Sequence, residues 1–177
     1  MFQFENTFSI ADLINAGLLI VAIIGICFTY QQIKESHKTQ KATFFKDLYS
    51  TMFSDHDIRE AFYQIEYGEF DYDVNFHGSD SEKAIDKLLS FIDLICDLYA
   101  QRIISQHEMS FFKYEFTRIY RNDNVQRYLK FLTNFYTQTG TETKPFPSYV
   151  AYCENELRQR KNRLKNWFYR LQQNNFR

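Results

Sequence analysis

Apolar residues follow two different patterns along this chain. Near the N-terminus they run almost without interruption: LINAGLLIVAIIGICFTYQQI, from Leu13 to Ile33, contains no charged side chain. Its centre, 16–28, has no strongly polar one either. Written as a helix at ~1.5 Å per residue, the stretch is about 31 Å long, the thickness of a hydrocarbon core. A helix is also the form in which such a segment satisfies its own backbone in lipid. A core helix of a soluble protein would show a polar face, and none is present. An apolar helix buried only in an oligomer core is the remaining alternative. Residues 1–12 hold Glu5 and Asp12 but no Lys or Arg, and no A-x-A-like cleavage site is found. An uncleaved anchor is therefore expected rather than a secretory signal.

Beyond the span the apolar residues recur at helical spacing. The first helix is expected to continue through 34–53 and end near Phe53. Ser54 and Asp57 resemble a capping box for a second helix with Ile58, Ala61, Phe62 and Ile65 on one face, closed by Gly68. Residues 69–80 read as a loop. Ser79 with Glu82 predicts the start of a third helix, whose stripe is Ile85, Leu88, Leu89, Ile92, Ile95, Cys96 and Tyr99. Ser105 with Glu108 opens another, carrying Met109, Phe112, Phe116, Ile119 and Tyr120. Asn122 or Asp123 starts a fifth, with Val125, Tyr128, Leu129, Leu132 and Tyr136 aligned. A turn-rich connector, 138–147, leads to a last helix capped by Ser148 and running to about Leu171.

The predicted fold class is thus all-α: a single transmembrane helix continuing into a small helical bundle. Its parts are a short segment 1–12, the span 13–33, a juxtamembrane helix 34–53, a bundle 54–137, the connector 138–147 and a basic amphipathic helix 148–177. Five Gly and two Pro in 177 residues supply too few turns for a many-stranded β fold.

Charge then sets an expected orientation. Lys34, Lys38, Lys41 and Lys46 follow the span and no base precedes it, which by the positive-inside rule puts the N-terminus outside and the larger part in the cytoplasm. A reducing compartment suits the unpaired spacing of Cys27, Cys96 and Cys153. Within the span, Gly17, Ala22, Gly25 and Thr29 are small, and Gly25-xxx-Thr29 is a pair through which two helices approach closely. A lipid bilayer and further copies of the chain are the expected partners.

The formal net charge of -1 hides an asymmetry. Seven of the 21 bases and none of the 22 acids lie in 157–177, leaving 14 bases against 22 acids before it. The basic tail holds Arg158, Arg160, Lys161, Arg163 and Lys165, beside Trp167 and Phe168. Three destinations suit it: the acidic surface of 55–97, an anionic membrane leaflet into which Trp167 and Phe168 insert, or nucleic-acid phosphates. No recognition motif accompanies the bases, which ranks nucleic acid last.

Chemistry is sparse. No HExxH, G-x-S-x-G or Walker pattern is present, so no cofactor, metal or catalytic residue is expected. His56, between Asp55 and Asp57, reads as a solvated cap. Asp86, Asp93 and Asp97 share one face of the third helix, and a solvated or tail-facing role is expected over cation binding. One motif suits an all-helical domain: Arg102-Ile-Ile-Ser-Gln-His107 resembles the R-x4–6-H signature of helical HEPN ribonucleases. That resemblance implies Arg102 on phosphate charge and His107 in proton transfer, although Ile103 stands where a polar residue is common.

The segments QQIKESHKTQKATFF, SDHDIREAFYQIEYGEF, DKLLSFIDLICDLYAQRIIS and NVQRYLKFL carry a wider likeness. With the span before them, they resemble small bacterial membrane proteins that have one N-terminal transmembrane helix and a helical cytoplasmic domain. Proteins of that type look like products of phage-defence or mobile-element loci. The resemblance implies a membrane-anchored effector of the abortive-infection kind that acts at the inner membrane by oligomerising. A tethered ribonuclease and an adaptor recruiting a soluble protein are the alternatives.

Overall fold

The computed structural model describes residues 10–73, 75–141 and 143–174, with the side chains of 168–174 excepted. The described residues form helices and no strands: α1 (Ile10–Ser54), α2 (His56–Glu66), α3 (Asp80–Ala100), α4 (Gln106–Met109), α5 (Lys113–Arg121), α6 (Asp123–Gln138) and α7 (Pro147–Asn174). The chain divides into two compact units, Met1–Leu48 and Tyr49–Arg177.

Among the described residues the first unit is α1 as far as Leu48, and the end of that helix, 49–54, belongs to the second. The large apolar residues of α1 from Ile10 to Ile33 are all at least half exposed, on every side of the helix. The helix is long and apolar enough to cross a membrane.

The second unit is built on α3. Ile85, Leu88, Leu89, Ile92, Ile95 and Cys96 are buried, as the stripe predicts. Against them pack α2 through Ile58, Ala61, Phe62 and Ile65, and α7 through Tyr149 and Cys153. Helix α5 adds Phe116 and Ile119, and α6 adds Val125, Tyr128 and Leu129. The second half of α6 leaves the core, with Phe131 and Phe135 on its surface. The helix expected after Ser105 is two: one turn, α4, then a break at 110–112 before α5. The loop between α2 and α3 is pinned by Phe70 and Phe76, both buried and edge-to-face at 5.5 Å.

Several helix starts differ from expectation. Ser54 is the last residue of α1, and Asp55 caps α2 by accepting from the amides of Asp57 and Ile58. A carboxylate reaches those amides while also accepting from Lys87 Nζ at 2.8 Å, and that ion pair is the main cause holding its pKa low. At α3, Ser79 accepts from the Glu82 amide, but the Glu82 carboxylate turns to the Gly78 amide instead of closing the box. Ser105 and Glu108 do form the reciprocal box. Asn122 caps α6. Ser148 does not cap α7, because Pro147 takes the first helical position, where its missing N–H costs nothing.

Three helices end alike. After α2, the Gly68 amide bonds to Ile65 O and the Glu69 amide to Gln64 O. After α6, Gly140 bonds to Thr137 O and Thr141 to Tyr136 O. After α3, Arg102 bonds to Tyr99 O and Ile103 to Leu98 O. Each is a Schellman motif, which needs a left-handed residue at its turn. Gly68 (φ 74°) and Gly140 (φ 72°) adopt it freely, whereas Arg102 (φ 62°) adopts it with a side chain.

Candidate functional site

Four places in the chain bring chemistry-bearing residues together. The first is the apolar face of α1. At about 100° per residue, Ala22, Gly25 and Thr29 fall within about 60° of one another, while Gly17 sits about 80° from Gly25. The structure therefore groups three of the four small residues on one face. Nothing lies within 4 Å of the position a Cβ would take on Gly25. Thr29 Oγ1 donates to Gly25 O at 2.9 Å, so its hydroxyl is satisfied inside the helix, as a hydrocarbon surrounding requires.

The second place is the row of acids on α3, which turns out to hold the bundle together. Tyr128 Oη, on α6, donates to Asp86 Oδ1 at 2.7 Å. The Tyr149 amide donates to Asp93 Oδ1 at 2.8 Å, and Ser148 Oγ to Asp97 Oδ1 at 3.5 Å. Asp93 and Asp97 thus face the start of α7, upstream of the basic tail, and Asp86 faces α6. Burial pushes the carboxyls of Asp86 and Asp93 above the ordinary range, against the pull of these donors. Among the described residues no three His, Cys, Asp or Glu converge on a point where a metal ion would sit.

The third place is a polar chain that spacing did not reveal. His77 Nδ1 lies 2.8 Å from Glu82 Oε1, and Nε2 lies 3.1 Å from the Tyr72 hydroxyl. A carboxylate only accepts, so Nδ1–H is the donor to Glu82 and, in the neutral ring, Nε2 accepts from Tyr72. Burial raises the Glu82 carboxyl, but the Gly78 amide, His77 and Tyr128 outweigh it and leave it low. Arg127 stands over the Tyr72 ring at 5.4 Å, and His77 packs on Phe131 at 4.3 Å. Both imidazole nitrogens are thus engaged within the cluster. The cluster acts as a lock between the loop, α3 and α6.

The fourth place is the basic tail. Arg158, Arg160, Lys161, Arg163 and Lys165 are exposed on α7, and Leu164 and Trp167 are 51% and 54% exposed. Arg160 lines a cavity together with Glu66 and Tyr67 of the 55–97 region. The side chain of Phe168 lies outside the described residues. Arg160, Arg163, Leu164 and Trp167 share one face of α7, opposite Lys113, Tyr114 and Thr117 of α5.

Arg102 lies in the loop between α3 and α4, and His107 is the second residue of α4. Both are exposed, and no hydrogen bond or ion pair joins them. The His107 ring meets Phe111 edge-on at 5.4 Å.

Compared with protein-family models, with curated proteins and with solved structures, the chain finds no match in any of the three.

Proposed function

We propose that this chain is a membrane-anchored helical effector of the phage-defence type, acting at the bacterial inner membrane through self-association of its span. One observation carries the reading: α1 presents large apolar side chains on all sides with none of them covered by the rest of the chain. In water each such side chain would cost about 1.5–3 kcal/mol of unrealised burial. A bilayer removes that cost along the whole segment. The lysines after the span favour an N-terminus outside and a cytoplasmic C-terminal unit. The small face of Ala22, Gly25 and Thr29 suits close approach of a second copy.

Membrane potential tests the mechanism. Expression or phage challenge is expected to depolarise cells, and Gly25→Leu, which blocks close approach, is expected to abolish this while leaving the protein in the membrane fraction. Defence or toxicity that persists in fully polarised cells removes the reading.

One observation favours a second reading, the tethered ribonuclease. Arg102 holds a left-handed position that glycine would fill at about 1 kcal/mol less strain. A functional demand for its guanidinium would account for that choice. His107→Ala decides it: a phenotype identical to the parent removes the enzyme.

A further inference from the structure

The face shared by α5 and α7 is lined with cations and rings in an arrangement the anchor does not call for. A cavity of about 550 Å³ is lined by Tyr67, Tyr114, Thr117, Arg121, Asn122 and Arg160, among others. A second of about 670 Å³ shares Tyr114, Thr117 and Arg160 with it and ends at Trp167. Each is within the range of small-ligand sites, about 300–1,000 Å³.

Cations outnumber acids along this groove: Glu66 is the one carboxylate in its lining, and Lys113 is paired with Glu156. Arg118 is neutralised by Glu66, which also holds it in place through the Glu66 carbonyl at 3.0 Å. Arg121, Arg160 and Arg163 have no acid partner among the described residues. Three unneutralised guanidinium groups beside concave space attract phosphate oxygens, to which their planar forks bind in pairs of hydrogen bonds. The rings are equally exposed: Tyr67 is 70%, Tyr114 65% and Trp167 54% accessible. Tyr67 is stiffened by stacking on Tyr63 at 5.7 Å, and Tyr114 by Arg118 over its face at 5.9 Å. Rigid exposed aromatic faces beside phosphate-binding arginines are what a nucleobase with its phosphates requires. A lipid surface would draw on the charges and on Trp167, whereas stacking on Tyr67 or Tyr114 beside the arginines calls for a planar base.

We propose that this groove binds a nucleoside di- or triphosphate. Arg121 and Arg160 take the phosphates, Tyr67 or Tyr114 stacks on the base, and Thr117 and Asn122 offer polar contacts to the base edge or sugar. The site is independent of the anchor and of how the span acts.

The full-length chain in phosphatidylcholine nanodiscs provides the test. Equilibrium dialysis against ATP, GTP and UTP is expected to show saturable sub-millimolar binding of at least one. Trp167 is the chain's single tryptophan, so its fluorescence reports the same event. Arg160→Glu and Arg121→Glu are exposed changes that leave helicity intact by circular dichroism. Each should weaken binding about 10- to 100-fold, the loss of a charge-assisted hydrogen bond. Arg158→Glu makes the same charge change outside the groove and should leave affinity unaltered. The proposal is overturned if none of the three nucleotides saturates, or if Arg158→Glu weakens binding as much as Arg160→Glu. It is equally overturned if inorganic phosphate competes as well as nucleotide does. Binding confined to oligouridylate, or to discs containing phosphatidylglycerol, would assign the groove to a polymer or a lipid surface instead.

Discussion

Asp93 on α3 caps α7: its Oδ1 accepts the Tyr149 amide at 2.8 Å, across 56 positions of sequence. The first turn of α7 has no acid of its own and begins with Pro147. Its free amides are therefore satisfied by the helix it packs on, so the cap and the interhelical contact are one interaction. Asp93→Ala should destabilise the folded chain by about 1–2 kcal/mol, the cost of a lost N-cap. Thermal melts followed by circular dichroism measure it.

The same carboxylate gives a pH dependence with a definite sign. Burial holds the folded pKa of Asp93 above its unfolded value, the Tyr149 and Ser148 amides and Asp97 modifying that shift. For an acid shifted upward the folded state binds the proton more tightly, so this group's contribution falls as pH rises. The fall begins near the ordinary carboxylate pKa of about 4 and is complete above the raised folded value. Asp93→Asn keeps an acceptor oxygen and has nothing to titrate. Relative to the parent, Asp93→Asn should therefore gain stability between pH 4 and 7. An equal difference at both ends of that range would show that Asp93 does not titrate as its surroundings dictate.

How much of this was readable in the sequence depends on where the information sits. The α3 stripe and the faces of α2 and α5 were legible because burial on a helix leaves a 3.6-residue period. The buried rings of Phe70 and Phe76 were not, since a loop has no period and EFDYDVNFHGSD is otherwise polar. The start of α2 lies one residue beyond the one Ser54 suggests, because Ser54 and Asp55 are both competent caps and α1 runs on through Ser54. Asp93 and Asp97 share a face by spacing, but their bonds to Tyr149 and Ser148 lie 51–56 positions away, where no spacing rule reaches. The His77 chain joins a loop, α3 and α6, and no spacing rule relates them.

Phe76 should matter more than its loop position suggests. It is 3% exposed and meets Phe70, Tyr72 and Tyr128 at ring separations of 5.0–5.5 Å. Phe76→Ala should cost about 3–5 kcal/mol, as large-to-small changes in a core do. It should also free the loop that carries Tyr72 and His77. Hydrogen exchange across 69–79 should rise in the variant; an unchanged loop would mean that the polar chain alone holds it.

Arg102 predicts a stabilising change. It occupies the same left-handed turn as Gly68 and Gly140, and its Cβ makes the conformation costly by about 1–2 kcal/mol. Arg102→Gly should raise stability by about 1 kcal/mol, part of the gain being offset by the greater entropy of glycine in the unfolded chain. Gly68→Ala should lower stability by a similar amount, because open space surrounds Gly68 and only the backbone conformation resists a side chain. Melting the two variants beside the parent checks both signs.

The span itself can be challenged by adding charge. Leu18, Leu19, Ile20, Val21, Ile23, Ile24, Ile26 and Phe28 each favour insertion by about 0.3–0.6 kcal/mol near the helix centre, together about 2–5 kcal/mol. One central Arg costs about 2.5–3.5 kcal/mol, so Ile20→Arg should leave a divided population between membrane pellet and supernatant. Adding Ile24→Arg, one turn along the same face, doubles the cost and exceeds the whole favourable sum. The double variant should leave the membrane fraction entirely, while circular dichroism still reports the folded helices of 55–174. If the doubly charged chain pellets with membranes as the parent does, α1 is not held by lipid, and its uncovered apolar surface must be met by protein.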